Sequence, residues 1–271
     1  SSKSFIGPSS FTLQKQNLVK DKNINNISVQ DDFCVTDKAD GDRKLLYISK
    51  NGEIYFITTN MNIEYTGCYV KDKSLFQTLI DGEHIEKDKY NKHINYYAAF
   101  DIYYCSIKNK NGTDIREKKF FGINDETTSD EEKRANKYSR YRLLDKVIKE
   151  INKSLNKSSK NNLTINKKTF VFSNPNENIS IFDCCTTLLG TINSNVYPYN
   201  TDGIIFTSMV LGVTQEYPGD TIKNKKYPWK HSFKWKPPKF NTIDFLIEIK
   251  KNKLNKLDLK SKMINGEIHR Y

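Results

Sequence analysis

The residues with chemistry to offer sit in short clusters punctuated by glycine. Lys38-Ala39-Asp40-Gly41-Asp42-Arg43 stands directly before a run of β-forming residues. Downstream come Asp81-Gly82-Glu83, Phe100-Asp101-Ile102-Tyr103, Thr201-Asp202-Gly203-Ile204-Ile205-Phe206 and Lys234-Trp235-Lys236-Pro237-Pro238. In a strand, residues two apart share a face, so Lys234 and Lys236 point one way while Phe233 and Trp235 point the other. One face is suited to phosphate and the other to a core. The formal net charge of +12 points to a polyanionic partner, either nucleic acid or a nucleotide polyphosphate.

The Lys38 to Arg43 segment resembles the KxDGxR nucleophile motif of the covalent nucleotidyltransferases, the superfamily of DNA ligases, RNA ligases and mRNA capping enzymes. The other four clusters follow in the superfamily's order across residues 38–238. Asp-Gly-Ile-Ile-Phe, then Phe-Lys-Trp-Lys-Pro-Pro, then Asn241-Thr242-Ile243-Asp244-Phe245 are most similar to mRNA guanylyltransferases. The chain is rich in Asn, Lys, Ile and Tyr, the bias of AT-rich coding DNA. Together with that bias, the resemblance points to the capping enzymes of large cytoplasmic DNA viruses.

The resemblance implies a set of roles. Lys38 would attack the α-phosphorus of GTP, which requires an amine that has shed its proton; free lysine keeps it up to a pKa of ~10.4. Lys234 and Lys236 would supply neighbouring positive charge, hold the α-phosphate and neutralise the transition state. Arg43 and Glu83 match positions that bind the ribose hydroxyls, Phe100 the aromatic that stacks on the base, and Asp244 a further acidic nucleotide-binding position. Asp202 matches the metal-binding acid, and carboxylates beside a polyphosphate call for Mg²⁺ or Mn²⁺. The implied reaction is two-step capping through a lysyl-GMP intermediate, with the 5′ end of nascent RNA as acceptor. RNA triphosphatase and cap methyltransferase activities would lie in flanking domains or partner subunits. The expected address is cytoplasmic, at a viral replication site or in a virion, or nuclear for a cellular eukaryote.

Two rival readings remain. An ATP-dependent polynucleotide ligase shares the lysine chemistry, but ligases carry a basic residue shortly after the fourth motif, where Ile204-Ile205-Phe206-Thr207 is neutral here. A non-catalytic nucleotide- or RNA-binding scaffold of a capping complex is the other, motivated by the expected lack of the family's C-terminal OB-fold. The residues after Glu248 are too few for a five-stranded barrel. The expectation is therefore a nucleotidyltransferase domain over 1–240, with 241–271 as the start or remnant of an OB-fold or a linker.

The elements that must position these residues are also partly legible. Runs at 43–48 and 54–57 flank Asn51-Gly52, a hairpin signal. Residues 96–107 are almost continuously apolar and aromatic, which suits a central strand covered on both faces. Residues 108–137 read as an insertion or mobile loop, and 156–168 as an exposed connection. Apolar residues at helical spacing make 138–155 an amphipathic helix with a basic outer face, on which Arg140 and Arg142 read as solvated in preference to contacts with RNA or phosphate. A short buried helix is expected over 179–193, ended by Gly190, and strands at 204–206, 231–236 and 242–249. Gly41 and Gly203 read as backbone requirements. The fold class is α+β, antiparallel sheets flanked by helices; the resemblance implies the DNA-ligase-like, ATP-grasp-like nucleotidyltransferase domain.

Composition excludes other classes. With 37% hydrophobic and 12% aromatic residues, 271 residues can fold as one large or two modest domains. No apolar run approaches the ~20 residues of a membrane helix, and no charged-then-apolar leader opens the chain, so a soluble intracellular protein with no membrane partner is expected. Five cysteines without a CxxC pair and four histidines without ligand spacing suggest reduced thiols and no zinc.

Overall fold

The computed structural model describes residues 4–20, 26–122, 129–157, 162–222, 228–240, 261–264 and 267–270. The chain divides into two compact units, 1–237 and 238–271. The first contains, in order, β1 (Ser10–Thr12), β2 (Phe33–Ala39), β3 (Asp42–Ile48), β4 (Glu53–Thr58), β5 (Ile63–Val70), β6 (Thr78–Lys87), β7 (His93–Ile107) and β8 (Lys110–Asp114). There follow α1 (Asp130–Lys137), α2 (Arg140–Ser154), β9 (Leu155–Lys157), β10 (Thr164–Lys167), β11 (Val171–Phe172), α3 (Ile181–Asn193), β12 (Thr201–Ser208) and β13 (Trp229–Trp235). In the second unit the described residues form a short turn at Pro238–Phe240 and an antiparallel hairpin of β14 (Ser261–Ile264) and β15 (Glu267–Arg270). The expected strand at 242–249 lies outside the described residues.

Two sheets make the first unit. One has the order β1-β13-β12-β2-β11; the other has β10-β7-β6-β3-β4-β5-β9, with β8 added on β7. Pairings are antiparallel except β1 with β13 and β10 with β7. The α+β class is borne out. The β3–β4 hairpin forms as its sequence dictates: Gly52 takes φ +88°, and a Cβ there would meet the Val70 carbonyl oxygen at 2.1 Å. Strand β7 is covered on both faces, with Ile102 and Cys105 in the core under α2 and Tyr103 packed with Leu45 and Val213 on the other side.

Each sheet has its own helix. Leu143, Leu144, Val147, Ile148 and Ile151 of α2 are buried on the larger sheet against Leu46, Ile80 and Ile102. Burying each such side chain contributes roughly 1.5–3 kcal/mol. Ile181, Cys184 and Leu188 of α3 pack on Val35, Phe206 and Phe233 of the smaller sheet. No helix among the described residues is long and apolar enough to cross a membrane.

Several expectations need correction. Of residues 108–137, the described stretches 108–122 and 129–137 are not open: β8 pairs with β7, Ile115, Phe120 and Phe121 are buried, and α1 forms over Asp130–Lys137. Three large apolar side chains in an otherwise polar stretch had surface to hide. The 156–168 connection contains β9 and β10 and buries Leu163, Ile165 and Lys168. Helix α3 is started by the Ser180–Asp183 capping box and runs through Gly190 to Asn193; it is only half-buried, with Phe182 exposed. Arg140, read as solvated, is fully buried: its guanidinium pairs with Asp101 at 2.8 Å and donates to the Lys118 and Leu211 carbonyls. Arg142 is exposed as expected.

Candidate active site

The KxDGxR segment is where the chain crosses from one sheet to the other. Lys38 lies at the end of β2 and Arg43 at the start of β3, so only Asp40 and Gly41 separate the two strands. Lys38 Nζ donates to Asp202 Oδ1 at 2.7 Å, and Lys236 Nζ lies 2.6 Å from Asp202 Oδ2. Partial burial would push the Asp202 carboxyl up, but hydrogen bonds from Lys236 and Lys38 hold it below the usual carboxylate range. Backbone geometry explains how Lys236 arrives. A Cβ on Gly203, the residue after Asp202, would meet the Trp235 carbonyl oxygen at 2.0 Å, so only glycine lets β12 and β13 come this close.

The alternation expected of β13 is present. Phe233 and Trp235 pack into the core beneath α3, and Ser232, on the face shared with Lys234, lines the pocket. Register places Lys234 opposite Ile205 of β12, itself opposite Thr36 of β2, and Ile205 and Thr36 also line the pocket.

Across the cleft, Arg43 forms a two-pronged pair with Asp81: Nε to Oδ1 at 3.1 Å and Nη2 to Oδ2 at 2.5 Å. Its Nη1 donates to the Pro8 carbonyl at 2.7 Å. Asp81 is fully buried and also accepts the Tyr103 hydroxyl. Burial works against the Arg43 charge, but the Asp81 carboxylate more than offsets it and raises the pKa above the ordinary arginine value. Phe5 and Phe100 flank the guanidinium, with ring centroids 5.3 and 5.5 Å from Cζ. Glu83 lines the same pocket, and burial pushes its carboxyl up to about 7 despite the opposing charges of Lys168, Lys38 and Arg43.

The pocket joins these groups. Lys38, Arg43, Glu83 and Phe100 all line it, with aromatic walls from Phe120 and Phe170. An apolar slot with a few convergent polar groups is the usual form of a small-molecule site, and flat aromatic surfaces suit a nucleobase. Asp202 and Lys236 are not among the lining residues but join the site through Lys38, and Lys234 is placed beside it only by its register opposite Ile205. Asp244 lies outside the described residues.

Sequence reasoning missed Lys168 and Asp37. Lys168 lines the pocket yet is buried, and its ammonium contacts the Asp37 carbonyl and, at 3.1 Å, the Asp37 carboxylate. Asp37 is fully buried beside Lys38 in sequence and accepts the Tyr199 hydroxyl at 3.2 Å. The only local signal was the Thr169-Phe170-Val171-Phe172 run after Lys168, which marks a strand but not a partner.

The chain is 28% identical over 249 residues to a probable mRNA-capping enzyme of Acanthamoeba polyphaga mimivirus, a match covering 81% of this chain and 20% of that protein. The resemblance carried by the five motifs is thus found again in a relative of the expected kind. The chain spans about a fifth of that relative's length. Among solved structures it is similar to a mycobacterial DNA ligase D complexed with ATP and MES, with a TM-score of 0.44 and 12% identity over 85% of this chain and 60% of that one. The ligase domain of M. tuberculosis ligase D gives a TM-score of 0.40 and 12% identity over 75% of this chain and 53% of that one. No family model matches the chain.

Proposed function

We propose that the chain is a GTP:RNA guanylyltransferase acting through a lysyl-GMP intermediate in mRNA capping. The observation that carries this reading is the pairing of Lys38 and Lys236 on one carboxylate, Asp202, beside a pocket lined by Arg43, Glu83 and Phe100. In the first step the Lys38 amine, its proton lost to solvent, attacks the α-phosphorus of GTP. A phosphorus–nitrogen bond forms, the bond to the β-phosphate bridging oxygen breaks, and pyrophosphate leaves. In the second step the terminal phosphate oxygen of a 5′-diphosphate RNA attacks the same phosphorus. The phosphorus–nitrogen bond breaks, Lys38 regains a proton, and a 5′–5′ triphosphate cap results.

The remaining residues take supporting parts. Lys234 and Lys236 bind the α-phosphate and the charge that grows on it. Arg43 and Glu83 address the ribose, Phe100 the base, and Asp244 is a further acidic nucleotide position. Mg²⁺ or Mn²⁺ would be held by Asp202 only where the triphosphate draws the Lys38 and Lys236 ammoniums off its two oxygens, because magnesium is usually held by one or two carboxylates plus substrate phosphates, not by an all-protein cage. No such cage of three or more ligands occurs among the described residues. When bound, the cation would neutralise charge on the triphosphate. RNA triphosphatase and cap methyltransferase domains or subunits would act before and after this step, in a cytoplasmic setting.

The test is incubation with α-labelled GTP or ATP and Mg²⁺ or Mn²⁺, followed by a denaturing gel, with Lys38→Ala alongside. An acid-labile, alkali-stable label from GTP alone, absent in the variant, is the expected result. Label from ATP alone would make the chain a ligase-type adenylyltransferase, and no label with retained nucleotide binding would make it a scaffold.

A further inference from the structure

A row of tyrosines crosses the larger sheet. Register pairs Tyr104 with Leu79, Leu79 with Tyr47, Tyr47 with Tyr55 and Tyr55 with Tyr65, so β7, β6, β3, β4 and β5 contribute one continuous cross-strand line. Strand neighbours such as Leu46, Ile54 and Ile80 face the opposite way, into the core under α2. The row therefore stands on the face that carries Arg43 and Asp81. Phe5, Ile6 and Val213 pack over this face at Leu45, Leu79 and Tyr104. Beyond them the rings emerge: Tyr65 is 56% exposed, Ile63 beside it 70%, and the Tyr55 and Tyr65 rings lie 5.3 Å apart.

The edge next to this row is basic. Strands β3, β5 and β7 end on the same side of the sheet, and the segments after them carry exposed Lys50, Lys71 and Lys73, and Lys108 with Lys110 at the start of β8. The Asn111 amide donates to the Lys73 carbonyl at 3.1 Å, which joins the last two segments. None of the five lysines is ion-paired to a described residue. The acids nearby have partners of their own: Asp72 caps Ser74, Asp114 pairs with Arg116, and Glu53 accepts the Tyr55 hydroxyl.

We infer that the Tyr47–Tyr55–Tyr65 row and its lysine edge form a platform for single-stranded RNA whose 5′ end enters the cleft. This rests on the RNA-acceptor reading above. Aromatic side chains stack bases with little regard to sequence, and lysines track the phosphates. A protein partner would use the apolar row and leave the lysine edge idle, whereas RNA uses both. Arg43 and Tyr47 share a face of β3 four residues apart, roughly 13 Å at the usual strand rise, so RNA leaving the row reaches the cleft by crossing the Phe5–Ile6–Val213 cover over Leu45.

The test is fluorescence anisotropy with a 3′-labelled oligouridylate bearing a 5′-diphosphate, on the whole chain without GTP. Tyr55→Ala/Tyr65→Ala should bind roughly tenfold more weakly or worse. Tyr65→Trp, which keeps a stacking surface, should bind like the unaltered chain. Lys71→Gln/Lys73→Gln should instead flatten the salt dependence by about two phosphate contacts. All of these variants should keep the covalent labelling by GTP. Equal RNA affinity in the double tyrosine variant overturns the proposal. So does sedimentation showing that the row mediates self-association while RNA affinity is intact. Binding is read without chemistry, so failure of the unaltered chain to label would overturn the function proposed above and leave this outcome readable by itself.

Discussion

Lys38 and Lys236, almost two hundred residues apart in sequence, lie against the two oxygens of a single carboxylate, that of Asp202. The bridge holds two like charges side by side. Asp202→Asn removes the charge that balances them while keeping the side-chain shape. Covalent labelling by GTP should fall by about 10² or more, the usual cost of losing one preorganised electrostatic group. A quantified gel assay checks it, and unchanged labelling would place Asp202 outside the chemistry.

Arg43 and Asp81 are a buried, bidentate pair. Asp81→Ala leaves a desolvated guanidinium without its carboxylate, and breaking such a pair costs about 3–5 kcal/mol. Arg43→Lys keeps the charge but loses the fork, so it should retain more stability than Asp81→Ala and still bind nucleotide poorly. Denaturant unfolding and nucleotide titration of the two variants separate these effects.

Glu83 gives a pH signature. Its carboxyl titrates at about 7 in the folded chain, against 4.5 as the reference value. A raised acid holds its proton longer when folded, so the folded chain binds more protons than the unfolded one between those values. Stability therefore falls as pH rises through that window and levels off above it. Glu83→Gln cannot ionise, so its melting temperature should gain on that of the unaltered chain as pH rises from about 4.5 to about 7. A difference that stays flat across the window would sink the assignment.

Two arginines two residues apart on α2 should behave oppositely. Arg140→Leu strands the Asp101 carboxylate, which burial already pushes upward, and should cost about 3–5 kcal/mol. Arg142→Ala, exposed but with its guanidinium 5.2 Å from the Phe121 ring centroid, should cost no more than about 1 kcal/mol. Replacing Asp101 together with Arg140 by apolar residues should recover much of the loss. Melting curves of the three variants decide it.

What could be read in the sequence was whatever local spacing determines. Asn51-Gly52 between two β-rich runs fixed a hairpin, and the period of two in β13 correctly divided its lysines from Phe233 and Trp235. Lys38, Arg43, Glu83 and Phe100 do converge on one pocket. What failed was whatever depends on a distant partner. Lys168 and Arg140 looked like solvated charges because their carboxylates, Asp37 and Asp101, are 131 and 39 residues away and meet them only after the sheets pack. The apolar residues within 108–122 were likewise diluted by polar neighbours, and only tertiary packing gave them a core.

The two-residue passage between β2 and β3 also sets how the cleft can move. Asp40 is pinned by its backbone bond to the Asn200 carbonyl at 2.9 Å, and a side chain on Gly41 would strike the His84 carbonyl oxygen at 2.7 Å. The two sheets are thus tethered by the shortest of leashes at the very point where Lys38 stands. Breathing of the cleft is most restricted there, with larger excursions at the far wall, so the Lys38 amine stands as a fixed post at its hinge.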